Sequence, residues 1–297
     1  MAIMTVNDLY KNYGDVRALQ GINLEVNKGE VYGFIGPNGA GKTTTIRVML
    51  GILNSDKGNV KIFDMDAWKD AVEIHRRIAY VPGEVNLWPN LTGGEVIDLF
   101  VSLRGSNNIS KREELIDRFE LDPSKKCGTY SKGNRQKVAL IAAFASEADL
   151  YILDEPTSGL DPLMERVFQE CVSEVKQQGK SVFLSSHILS EVEKLCDKIS
   201  IIRQGKIIES GTLEELRHLT RTQIVSQTKK FATGIDELAG IHDLVVDKNT
   251  YRFQVESSEI GSVMKHLSNY EIISLESSPP KLEDLFMHHY SGSGSEK

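Results

Sequence analysis

The stretch GPNGAGKTT, Gly36 to Thr44, decides how the rest of the chain is read. It follows the apolar run VYGFI and precedes TTIRVML, the strand, loop and helix order that a phosphate-binding loop requires. Gly36, Gly39 and Gly41 let backbone N–H groups converge on phosphates where a side chain would block approach. The spacing assigns Lys42 to the β- and γ-phosphates and the Thr43 hydroxyl to a magnesium ion, with the start of the following helix adding partial positive charge. Pro37, Asn38, Ala40 and Thr44 complete the candidate phosphate cradle.

A second stretch, LYILDEPTSGLD (Leu150–Asp161), is an apolar strand that ends in two adjacent carboxylates. In a chain with such a loop, Asp154 at the strand end is placed to hold magnesium or its water, and Glu155 to act as general base toward an attacking water. Around these two motifs, INLEV, VYGFI, NVKIF, SVFLSS, KISIIR and KIIES read as strands. Helices are expected over TGGEVIDLFVSLRG, SKREELIDRFEL, the apolar half of CGTYSKGNRQKVALIAAFAS, about Pro162 to Gln178, and ILSEVEKLC. Thr92 with Glu95, and Thr212 with Glu215, form capping-box patterns. The alternation implies an α/β fold with a mainly parallel core sheet.

The bulk numbers set limits. Thirty-five Lys and Arg against 42 Asp and Glu give a net charge of −7, which argues against a general nucleic-acid binder. Three scattered cysteines signal neither a disulfide framework nor a zinc site, and a reducing cytoplasm fits them. The N-terminus turns polar by Asn7, unlike a secretory signal, and no apolar run has spanning length, so a membrane role is expected to come through a partner.

With both motifs in hand, Met4 to Leu219 resembles the ATPase subunit of ATP-binding-cassette (ABC) transporters. That resemblance implies a P-loop cassette over 1–220 with an antiparallel β subdomain and an inserted helical subdomain at about 87–146. A small α+β accessory domain is expected over 221–290, ordered strand, helix, strand, strand, helix, strand, helix, with 291–297 read as a disordered tail. The resemblance gives the segment YSKGNRQK the place of the family's signature, starting a helix and facing the γ-phosphate of ATP held by an opposite subunit. Ser131, Lys132, Gly133 and Asn134 thereby become candidate nucleotide contacts, with Lys132 replacing a usual glycine and Asn134 a usual glutamine. By the same likeness Tyr13 stacks on adenine, His187 contacts the γ-phosphate and the catalytic acid, and SGLD, ending at Asp161, crosses a dimer interface. The loop YVPGEVNLWPNLT carries Gly83 where the family usually has glutamine, so Glu84 is the candidate to supply a magnesium oxygen instead.

The implied activity is ATP hydrolysis with ATP and Mg2+, powering export of a drug, antibiotic or other hydrophobic compound. The implied partners are an integral membrane transporter subunit and a second ATPase chain, forming a homodimer at the cytoplasmic face of the membrane, with no nucleic acid. PPKLEDLFMHHY, with Leu282, Leu285, Phe286 and Tyr290 at helical spacing, resembles the end of bacterial drug-exporter ATPases. A soluble cassette ATPase of translation or DNA repair, an importer ATPase, and a regulator without turnover are the alternatives.

Overall fold

The computed structural model describes residues 1–103, 108–218, 221–256 and 258–278. The chain divides into two compact units, Met1–Ser210 and a second beginning at Gly211, ahead of the expected boundary at Thr220.

The first unit is built on two sheets. β1 (Ala2–Tyr13), β2 (Val16–Asn27), β4 (Lys57–Ile62) and the short β5 (Met65–Asp66) form an antiparallel sheet in the order β2-β1-β4-β5. A two-residue turn at Gly14 and Asp15, with Gly14 at φ 56°, closes the β1–β2 hairpin. Alternate residues of these strands (Met4 and Val6; Ile22, Leu24 and Val26; Val60 and Ile62) are buried, as a half-covered sheet demands.

The second sheet has the order β10-β9-β3-β8-β7-β6. Its strands are β3 (Val31–Ile35), β6 (Ile78–Val81), β7 (Leu150–Asp154), β8 (Ser181–Ser186), β9 (Lys198–Arg203) and β10 (Lys206–Thr212). β3, β7 and β8 are buried at every residue, which is why they read as unbroken apolar runs rather than alternating ones. The pairs β3–β8, β3–β9, β6–β7 and β7–β8 are all parallel. Their register sets Ile35 beside Ser186, Asp154 beside Ser185, and Val81 beside Leu153. The loops that follow β3, β6, β7 and β8 therefore leave the sheet at one common edge, the carboxyl ends of the strands, where open α/β sheets place their ligands.

Helices α1 (Lys42–Met49) and α2 (Ala71–His75) precede β6. Between β6 and β7 stand α3 (Gly93–Leu103), α4 (Ile109–Arg118) and α5 (Lys132–Phe144). The Thr92–Glu95 capping box forms in full: the Thr92 N–H donates to the Glu95 carboxylate, and the Glu95 N–H donates to the Thr92 hydroxyl. α6 (Pro162–Gln177) and α7 (Leu189–Leu195) follow β7 and β8. An ionic tie joins the inserted helices to α6, with Lys111 at 3.1 Å and Arg118 at 2.7 Å from Glu174.

The second unit contains α8 (Leu213–His218) and an antiparallel sheet in the order β12-β13-β11-β14. Its strands are β11 (Thr222–Thr228), β12 (Ile241–Asp247), β13 (Thr250–Val255) and β14 (Ile272–Ser278), and α9 (Ile260–Ser268) supplies Val263 and Leu267 to their core. The helix expected between the first two strands is replaced by turns over residues 229–240. Gly234 and Gly240, both at positive φ, leave DELA too short a run to nucleate a helix. The final expected helix and the tail 291–297 lie outside the described residues.

Candidate active site

At the edge where β3 ends, the chain turns through Gly36 and enters α1 with Gly41 as its N-cap at φ 113°, a conformation that L side chains rarely adopt. A Cβ on Gly36 would collide with the Ile202 carbonyl oxygen, so the packing there admits only glycine. Asn38 and Gly39 face solvent, whereas Lys42 is 5% exposed. The Lys42 Nζ donates to the carbonyls of Gly36 (2.7 Å) and Pro37 (3.2 Å) and lies 3.2 Å from the Glu155 carboxylate. The loop is thus wrapped around its own ammonium group.

Asp154 closes β7 and is 2% exposed. One of its oxygens accepts from the Thr43 hydroxyl at 2.9 Å and the other from the Ser185 hydroxyl on β8. The next residue, Glu155, takes φ 46°, a left-handed turn that swings its carboxylate off the strand line. Its N–H is held by the Ser185 carbonyl (3.1 Å) and hydroxyl (3.2 Å). The Glu155 carboxylate bridges Lys42 on one oxygen and the His187 Nδ1, also at 3.2 Å, on the other. Lys42, Thr43, Asp154, Glu155 and His187 are therefore one contiguous constellation. Ser185 is the member that sequence reading misses, although SVFLSS leading into the histidine places two hydroxyls at the same strand end.

The residue that abuts Asp154 from the β6 side is Gly83, where an added Cβ would lie 3.3 Å from the Asp154 carbonyl and 3.6 Å from its carboxylate. Glu84 is exposed and makes no hydrogen bond with Asp154 or Thr43 among the described residues. Tyr80, just ahead, has its phenol pushed up to about 12 by burial, with the nearby Asp154 charge adding to the effect.

Ser131 caps α5, its hydroxyl accepting from the Asn134 N–H at 3.2 Å. Lys132 donates to the Ser158 hydroxyl at 2.7 Å, and a Cβ on Gly133 would meet the Gly159 carbonyl at 2.5 Å. The basic segment therefore packs on the chain's own SGLD loop. Asp161 spends its carboxylate capping α6, accepting from the N–H groups of Leu163 and Met164 at 3.0 Å each. Tyr13, at the tip of β1, is 48% exposed and so outside the core, with the Lys11 ammonium over its ring at 6.0 Å from the centre.

The family model described as "ABC transporter" matches residues 19–158. Along nearly the whole length, the chain is 31% identical to the bacitracin transport ATP-binding protein BcrA of Bacillus licheniformis, covering 98% of each. The chain belongs to the ABC transporter ATP-binding proteins. A second ABC relative, the daunorubicin resistance ATP-binding protein DrrA3 of Streptomyces coeruleorubidus, is 31% identical over 96% of this chain and 95% of its own. The model described as "ATP-binding protein DrrA1-3-like, C-terminal domain" matches residues 211–290. A solved ATP-binding subunit of an ABC transporter superposes with a TM-score of 0.68 at 33% identity, over 73% of this chain and 92% of its own. As a member of this ABC family the chain binds and hydrolyses ATP.

Proposed function

We propose that this ABC ATPase powers export of an antibiotic or other hydrophobic compound through a separate integral membrane subunit, working as a homodimer at the cytoplasmic face of the membrane. The observation that carries the reading is likeness over the full length: the bacitracin and daunorubicin relatives align across both units, including the C-terminal one that a bare cassette lacks. Among the described residues no helix is long and apolar enough to cross a membrane. In this proposal the cargo path belongs to the partner.

The N–H groups of the loop from Gly36 to Thr44 and the start of α1 receive the phosphates, and Lys42 exchanges its carbonyl partners for β- and γ-phosphate oxygens. Tyr13 stacks on the adenine ring. Thr43 and Asp154, already within 2.9 Å of each other, offer the all-oxygen donor set that a hard divalent cation such as Mg2+ prefers. When bound, that ion supplies charge neutralisation on the phosphates. Glu155 takes the proton of the attacking water, with His187 holding the far carboxylate oxygen in place. Ser131, Lys132, Gly133 and Asn134 face the γ-phosphate bound by the second chain, where the uncapped N–H groups of α5 and the Lys132 ammonium favour an anion.

Purifying the tagged chain from gently solubilised membranes of its own cells, and identifying what accompanies it by mass spectrometry, tests the proposal. A polytopic membrane protein is the expected companion. Ribosomal or DNA-repair proteins with no membrane protein would overturn it.

A further inference from the structure

Glu191 is a buried carboxylate that none of the steps above employs. It sits on α7, four residues beyond His187, and is 7% exposed. Among the described residues it has no Lys or Arg partner. Both of its oxygens instead accept from hydroxyls: one from Thr157 at 2.8 Å, the other from Ser186 at 3.1 Å. Burial pushes its carboxyl up, and the two hydroxyls offset that only in part. A buried carboxyl held only by two hydroxyls calls for a reason.

The reason lies in what the two hydroxyls belong to. Thr157 stands two residues past Glu155, and Ser186 immediately precedes His187. The Ser186 oxygen also accepts from the Ile188 N–H at 2.9 Å, so it braces both sides of the histidine. Glu155 and His187 meet at 3.2 Å at the ends of two different strands, and Glu155 holds the left-handed φ of 46°. Nothing in the pair's own contact fixes the spacing of the two loops that carry it.

We infer that Glu191 is a positioning residue for ATP hydrolysis, clamping the Glu155 loop through Thr157 and the His187 loop through Ser186 so that base and histidine stay aligned on the attacking water. The inference rests on the ATPase reading of Glu155. It assigns Glu191 no contact with nucleotide. Its removal therefore acts on turnover rather than on ATP binding.

The test is steady-state ATP hydrolysis by the full chain carrying Glu191→Ala, Glu191→Gln, Thr157→Val or Glu155→Gln. Small displacements of reacting groups cost up to about a hundredfold, so E191A should lower kcat about ten- to a hundredfold while KM for ATP stays within about threefold. E191Q should recover most of that turnover, because its amide accepts from Thr157 and donates to Ser186, whose oxygen has a second lone pair. T157V keeps the shape but removes one arm of the clamp, and it carries the test if E191A fails to fold. Its kcat should fall with KM held.

Wild-type kcat in folded E191A or T157V, a loss confined to KM, or an E191Q as impaired as E191A would each overturn the clamp. If E155Q is inactive while E191A and T157V turn over normally, the clamp alone falls. If E155Q itself keeps wild-type turnover, the base assignment falls and the clamp with it.

Discussion

Replacing Glu155 by Gln separates binding from chemistry in this site. The carboxylate lies 3.2 Å from Lys42 and 3.2 Å from His187, and an amide of the same shape can keep a neutral contact to each. It cannot take a proton from water. Loss of a general base costs about 10²–10⁴ in rate, so kcat for ATP should fall by at least about a hundredfold. Affinity should move the other way. With the carboxylate gone, Lys42 is released from a competitor for the phosphates. At 3.2 Å that pair is worth about 1 kcal/mol in water and about 5 kcal/mol at an effective dielectric of 20. Glu155 is a quarter exposed, which places the net effect near the lower figure, about a fivefold gain in ATP affinity. Titration of a fluorescent ATP analogue, alongside phosphate-release kinetics on the same preparation, reads both quantities. With turnover blocked and ATP retained, light scattering in saturating ATP and magnesium should show a dimer. Turnover within tenfold of wild type, or ATP binding weakened about tenfold, would refute the reasoning.

Lys42→Ala acts on binding instead. It removes charge-assisted hydrogen bonds worth about 1.5–3 kcal/mol, so ATP affinity by calorimetry should drop about ten- to 150-fold, and retained affinity would undercut the P-loop assignment. Tyr13→Ala should weaken ATP by about fivefold, the worth of one stacked ring, with kcat at saturation preserved. Glu191→Gln should change the pH dependence of stability. The folded carboxyl lies above its ordinary 4.5, so the folded chain takes up this proton first as pH falls, and the ionised form costs stability only at higher pH. The melting temperature of E191Q should therefore exceed wild type most at about pH 8, with the gap closing as pH falls toward 4.5. A gap that widens on acidification would contradict the sign.

The parts of this site legible in the sequence are those in which neighbours along the chain do the work. Gly36 to Thr44 carries its own strand, loop and helix, and Asp154 and Glu155 sit at the end of a run apolar enough to announce a buried strand. The capping of α3 and α5 is equally local, since Thr92 reaches Glu95 and Ser131 reaches Asn134 three residues on. What escapes is what parallel pairing brings together from afar. Ser185 reaches Asp154 across 31 positions and Glu191 reaches Thr157 across 34. Glu191 reads in sequence as one more acid on an amphipathic helix. The proximity of Gly83 to Asp154 comes from β6 lying beside β7, which no spacing within YVPGEV encodes. Turn-rich residues 229–240 mislead in the opposite way, since a few helix-favouring residues between glycines lack the length to hold a helix.

The centre of the parallel sheet has a consequence for how this chain can tolerate change. Ser185 and Ser186 are adjacent on β8, and consecutive side chains on a strand point to opposite faces. One serves Asp154 and the other Glu191. Inserting or deleting a single residue within β8 would exchange the two faces, sending each hydroxyl away from its carboxylate while leaving composition almost untouched. The length of this strand is therefore held more tightly than the identity of most residues in it, and variation in this part of the molecule should accumulate as substitution rather than as gain or loss of residues.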